Sequence, residues 1–223
     1  MARKKAKKAE QTKQRLLDVS LELFLKKGFE NTTMREIAAN AGLAPGAAYY
    51  HFASKESMIF DFYENSYEAH LVLVDEVLAQ KKSLKDRLAG VVAAQIKVAE
   101  PYKDISKALF KTAIDPDQEI SPFSQASKPL RDKNIAIMVQ VLEGSTRKAP
   151  PKLRAALPEL FWLFKMGMIL YWLHDRSTDG QKTYRLINKG ADIIAKVIGV
   201  AGLPVIQSVS AKALGLLDEF RPY

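Results

Sequence analysis

With 223 residues and 48% hydrophobic content, the chain has ample apolar mass for a packed core, which argues against wholesale disorder. It contains no cysteine, which excludes disulfides, thiolate metal sites and a cysteine nucleophile. The net charge is +9, and residues 1–55 alone carry 11 Lys and Arg against 5 Asp and Glu, so the basic excess is concentrated at the start and points to a polyanion there. No apolar h-region follows the basic start, and the most apolar run, 160–173, is interrupted by Lys165 and falls short of the roughly 20 residues of a membrane span. A soluble, cytoplasmic protein without a membrane partner is expected.

Helical period predominates along the chain, punctuated by isolated Gly and Pro. Residues 1–9, with Arg3, Lys4, Lys5, Lys7 and Lys8, are expected to form a basic flexible arm that either follows the polyanion's backbone or only solubilises the chain. The first helix is predicted over 9–27, with Leu17, Leu21 and Phe24 as an apolar stripe and Gly28 as its stop. Thr33 opens the second helix, and Thr33-x-x-Glu36 has the spacing of a capping box. Ile37, Ala38 and Ala41 face inward, and Gly42 ends the helix in a turn that needs positive φ. Pro45 suits the first position of a third helix reaching Phe52, and Ser54 caps a long fourth helix over 55–80. Further helices are predicted over 84–99, 101–114, 129–143, 153–174, 181–200 and 206–220, with 115–122 as the clearest loop.

Two short helices joined by a glycine turn, with small residues at the crossing and reaching side chains on the second, make a helix-turn-helix. Thr33-x-x-x-Ile37-Ala38-x-x-Ala41-Gly42-Leu43 followed by Gly46-x-x-Tyr49-x-His51-Phe52-x-x-Lys55 resembles the DNA-binding signature of TetR/AcrR-type transcriptional regulators. The resemblance is close over residues 10–60 and one of architecture beyond them. It implies an all-α chain: a three-helix DNA-binding domain over 10–54 and a larger effector-binding and dimerisation domain over 55–223.

Carried over by position, the resemblance implies that Thr33 touches a phosphate and that Arg35 reaches a groove edge or phosphate. Pro45 lies at the start of the recognition helix, and Gly46, Ala47 and Tyr50 lie on its reading side. Tyr49, His51 and Lys55 grip the backbone, which fixes register while base edges carry sequence information. Ala44 departs from the Ser or Thr that often caps this helix, and Ala47 and Ala48 are small where larger residues are common. Recognition then leans on methyl contacts, Tyr50 and DNA shape.

In the larger domain Tyr67, His70, Tyr102, Phe110 and Trp162 are candidate linings of an effector cavity, His70 standing out as a histidine on an apolar face. Two C-terminal helices offer Phe161, Lys165, Met168 and Trp172, and Ile187, Ala191, Ile194 and Ile198, as a four-helix interface about a two-fold axis. The turn at 174–177 reads as helix capping. An enzyme is not expected: His51, His70 and His174 lie far apart, no glycine loop cradles phosphate, and no cofactor or metal is implied. The expected function is a homodimeric, effector-responsive regulator, a repressor on a palindromic operator. The alternative is a helical small-molecule-binding protein whose N-terminal hairpin no longer reads DNA.

Overall fold

The computed structural model describes residues 2–146 and 148–200, so the helix predicted over 206–220 lies outside the described residues. Among the described residues the chain is all-helical. In order come α1 (Ala2–Lys27), α2 (Met34–Asn40), α3 (Pro45–His51), α4 (Lys55–Gln80), α5 (Leu84–Ala99), α6 (Lys103–Ala113), α7 (Lys128–Glu143), α8 (Pro151–Arg154), α9 (Leu157–His174) and α10 (Gln181–Val200). Two compact units result: residues 1–68 with 99–131, and residues 69–98 with 132–223.

α1 begins at Ala2, not near residue 9, so the segment expected as a flexible arm forms the helix's first turns. Ala, Lys and Arg are among the best helix formers, and no Gly or Pro interrupts the chain before Gly28. The helix predicted over 153–174 is instead two pieces, α8 and α9. Pro158 is the cause: it has no N–H to donate and its ring opposes the carbonyl four residues earlier, so it fits only the first turn of α9.

The first unit has one apolar core. Leu16, Leu17, Leu21 and Phe24 of α1 meet Ile37 and Ala38 of α2, Ala48 of α3, Met58, Ile59 and Phe62 of α4, and Ile105, Leu109 and Ala113 of α6. α6 packs directly on α1, so the three-helix head extends into a larger body than the boundary at residue 54 implied. The half-buried pair Lys13–Asp61 ties α1 to α4 at the edge of this core.

The predicted capping box is present: the Thr33 hydroxyl accepts from the Glu36 amide at 3.3 Å, and the Thr33 amide donates to Glu36 Oε2 at 3.1 Å. α2 ends in a Schellman motif. The Gly42 amide donates to the Ala39 carbonyl (3.0 Å) and the Leu43 amide to the Ala38 carbonyl (2.9 Å), with Gly42 at φ +70°. Leu43 then packs on the core. α4 opens on a reciprocal pair: the Ser57 amide donates to Ser54 Oγ and the Ser54 amide to Ser57 Oγ, each at 3.2 Å.

In the second unit, buried Arg87 of α5 serves two helix ends at once. Its guanidinium donates to the carbonyls of Leu78 and Lys81 at the end of α4, and to those of Gln140 and Val141 in the last turn of α7, at 2.8–3.1 Å. Four carbonyls with the negative ends of two helix dipoles satisfy the cation without a carboxylate. Asp175 does the converse between α9 and α10. It accepts from the amides of Ser177 and Thr183 (2.9 Å each) and from their hydroxyls (2.7 and 2.6 Å). Desolvation opposes ionisation there, but these hydrogen bonds outweigh it and hold the carboxyl well below the usual range. The predicted capping role of the 174–177 turn therefore falls to Asp175.

Gly42→Ala puts a Cβ into a left-handed residue, where L side chains cost about 1–2 kcal/mol. The variant is expected to lose about that much stability by urea denaturation, with α3 the first helix to lose amide-exchange protection.

Candidate functional site

The third helix presents two unlike faces. Ala48 is fully buried in the core of the head, and Phe52 follows it there. Ala44, Pro45, Gly46, Tyr49 and Tyr50 are exposed, Tyr49 by 57% and Tyr50 by 83%. Two adjacent tyrosines this exposed on one helix face have little to gain from folding, which is the usual mark of a contact surface. Nothing lies within 4 Å of where a Gly46 side chain would start, so the backbone is bare there. As expected, Ala44 makes no side-chain cap, and Pro45 stands at the first turn.

Thr33 and Arg35 are exposed at the start of α2. Ala47 and His51 are half-buried, and the Tyr50 and His51 rings meet edge to face with centroids 5.1 Å apart. Glu36 is held below its usual carboxylate range by Lys27 first and by the Thr33 amide second, so the one acid beside Thr33 is already paired. Lys55 is also engaged within the head. Its ammonium donates to the Phe29 carbonyl at 2.9 Å and the Glu30 carbonyl at 3.4 Å, and sits 4.3 Å from the Phe29 ring centroid. It clamps the α1–α2 turn from the first position of α4, with two of its three N–H groups directed at those carbonyls.

The five candidate effector residues fall in different units. Tyr67, Tyr102 and Phe110 belong to the first, where Tyr102 is 43% exposed and stacks edge-on to Phe62 at 5.3 Å. His70 and Trp162 belong to the second, and both are buried. The candidate interface residues also sort differently than expected. Phe161, Lys165, Trp172, Ile187, Ala191 and Ile198 are all buried in the chain by itself, and Met168 and Ile194 are half-buried. The exposed large apolar side chains of the same helices are Leu163, Leu170 and Tyr171 on α9 and Leu186, Ile193, Val197 and Val200 on α10. The apolar character of 160–173 all round hid which face turns inward; packing of α9 on α10 decides it.

Lys165 donates to the side-chain oxygen of Asn134 on α7. Burial lowers its pKa to about 7. His70 is lowered to about 4, by burial first and then by the Lys165 charge, against the opposing hydrogen bond to the Val91 carbonyl. Lysine in the middle of an apolar run was the visible signal, and placing it at a subunit interface missed its hydrogen bond to Asn134.

For Lys165 the folded pKa lies below the unfolded value of about 10.4, so the unfolded chain binds more protons between them and stability rises with pH across that window. For His70 the same sign makes stability fall as pH drops from about 6.5 towards 4. Lys165→Met is expected to melt higher than the wild type at pH 7 and below, and to lose that advantage by pH 10. Thermal melts across this range check it.

No helix among the described residues is long and apolar enough to cross a membrane. Residues 16–61 match the family described as bacterial regulatory proteins, tetR family, and residues 87–214 match the tetracyclin repressor-like C-terminal domain. The HTH-type transcriptional regulator YerO of Bacillus subtilis is 33% identical over 141 residues, 60% of this chain and 48% of that protein, so the chain spans about half the length of this relative. The HTH-type transcriptional repressor BepR of Brucella suis is 23% identical over 89% of this chain and 95% of its own. The crystal structure of a TetR transcriptional regulator from Nitrosomonas europaea superposes with a TM-score of 0.63 at 11% identity, covering 81% of this chain and 96% of that one, a likeness of fold. With its head and the larger part of its remaining length both matched, the chain belongs to the TetR family of helix-turn-helix transcriptional regulators.

Proposed function

We propose that this chain is an effector-responsive transcriptional repressor that binds a palindromic operator as a homodimer. The exposed face of α3 carries the reading: Pro45, Gly46, Tyr49 and Tyr50 stand free on a helix whose other side is locked by Ala48 and Phe52. Entering the major groove, such a helix brings Gly46, Ala47 and Tyr50 to base edges. Thr33, Arg35, Tyr49 and His51 then lie towards the phosphates on either side. The repressor sign follows the likeness to BepR, which is named a repressor.

The basic excess of residues 1–55 supplies the sequence-independent attraction, and the small Ala44 and Ala47 leave specificity to Tyr50 and to DNA shape. Pairing through α9 and α10 uses their exposed row. Leu186, Ile193 and Val197 recur at heptad-like spacing, and on α9 Gly167 lies between Leu163 and Leu170 with open space around it, which lets a partner helix approach. Two recognition helices about 34–36 Å apart then occupy successive major grooves. A small-molecule effector releases DNA by binding more tightly to a form of the dimer whose heads no longer match that spacing.

A mobility shift on DNA from upstream of the protein's own coding sequence tests the reading, and failure to shift any duplex at low salt would leave the non-reading alternative in its place. Tyr49→Phe is expected to weaken binding about tenfold on all sequences alike, the loss of one charge-assisted hydrogen bond. A loss confined to one base position would move Tyr49 to base readout. Ile193→Glu is expected to give a folded monomer by sedimentation and to abolish the shift; a stable dimer in that variant would rule out the exposed α9–α10 row as the interface.

A further inference from the structure

The buried polar groups of the second unit are of two kinds. Arg87, Ser145, Asp175 and Thr183 are each met by hydrogen-bonding groups of their own unit. His70 and Lys165 are not fully met. His70 is 0% exposed; its Nε2–H donates to the Val91 carbonyl at 2.9 Å, which leaves Nδ1 with a lone pair and no partner. Lys165 is 3% exposed and donates to Asn134 Oδ1, and among the described residues no carboxylate comes within ion-pairing distance of it.

An ammonium offers three protons and a full charge, and a single neutral amide oxygen answers only part of that. Arg87 shows how the same unit satisfies a buried cation when the cation is structural, with four carbonyls at two helix ends. A methionine at position 165 would fill the same space without the charge, so ordinary packing gives no reason for the lysine. The Lys165 charge also acts on His70, which places the two groups within electrostatic reach, and Asn134 beside them is partly exposed to solvent. The neighbouring buried side chains of α9 and α5, among them Phe161, Trp162, Val91 and Val92, are apolar.

We propose that Lys165, Asn134 and His70 form the polar end of the effector site, and that the effector is an amphipathic organic acid whose carboxylate takes the two unused N–H groups of Lys165. This rests on the reading of the chain as an effector-responsive regulator and names the chemical class of its effector. One carboxylate matches one ammonium. A phosphate dianion leaves a charge uncompensated among apolar side chains, a neutral ligand leaves the ammonium uncompensated, and a cation is repelled. The Nδ1 lone pair of His70 calls for a donor, which a hydroxyl next to the carboxyl supplies.

The test is calorimetric titration of the full-length protein with octanoate, 2-hydroxyoctanoate, octanamide and octyltrimethylammonium. Octanoate is expected to bind at least about tenfold more tightly than octanamide, 2-hydroxyoctanoate more tightly still, and the ammonium not at all. Lys165→Met should keep its fold by thermal melting, or Lys165→Gln if the methionine variant does not, and should lose the preference for acid over amide. His70→Phe should lose only the increment from the hydroxyl. Equal binding of octanoate and octanamide, acid preference retained without Lys165, or no binding of either acid at millimolar concentration would each overturn the assignment. Mobility shift of the unliganded protein is read separately. DNA binding without acid binding sinks this inference and spares the regulator, whereas acid binding without any shift leaves the site standing and removes the regulator.

Discussion

The presentation of α3 depends on how α2 is brought to an end. Ala38 and Ala48 are small enough for the two helices to touch, but contact alone does not fix the angle at which the second one leaves. The left-handed residue at Gly42 does, because it turns the Leu43 amide back onto the Ala38 carbonyl and sends Leu43 into the core. With the exit direction set and Ala48 and Phe52 anchored, the only outlet for Tyr49 and Tyr50 is solvent. The clamp of Lys55 on the Phe29 and Glu30 carbonyls closes the same body from the far side, and α6 backs α1. A short helix of seven residues has little stability of its own, so this surrounding frame is what keeps it helical.

The second unit is organised by polar groups in an apolar interior. Arg87 gathers the ends of α4 and α7, and Asp175 joins the end of α9 to the start of α10. Both are satisfied so fully that they act as fixed points. Gly144 shows how tightly the first is built: a side chain there would begin 2.2 Å from the Arg87 guanidinium and would push it off its carbonyls. Against those two, the partly met pair of His70 and Lys165 stands out as chemistry that the fold does not need.

The head was largely legible in the sequence because its determinants are local. Capping boxes, a proline at a first turn and glycines at positive φ act within a few residues, and Thr33, Pro45, Gly28 and Gly42 all sit where those rules put them. What escaped depends on contacts between distant segments. The use of Lys55 on the α1–α2 turn, the packing of α6 on α1, and the gathering of two helix ends by Arg87 join residues far apart in the chain. Which side chains of α9 stay exposed was hidden for a related reason. α9 is apolar on every side, so its pattern carries no direction, and only its packing against α10 shows that Trp172 faces in while Leu163 and Leu170 face out. The basic arm failed differently, since charge was read as disorder where helix propensity ran the other way.

The placement of the two tryptophans gives the molecule a built-in optical reporter. Trp162 and Trp172 are the chain's full complement, both on α9 and both buried. Indole emission selectively excited at long wavelength therefore comes from this helix alone, while the N-terminal head, whose chromophores are tyrosines and phenylalanines, stays dark. A shift in emission colour or lifetime reports repacking around α9 without any label, and collisional quenchers added to the intact protein gauge how far solvent penetrates that one helix.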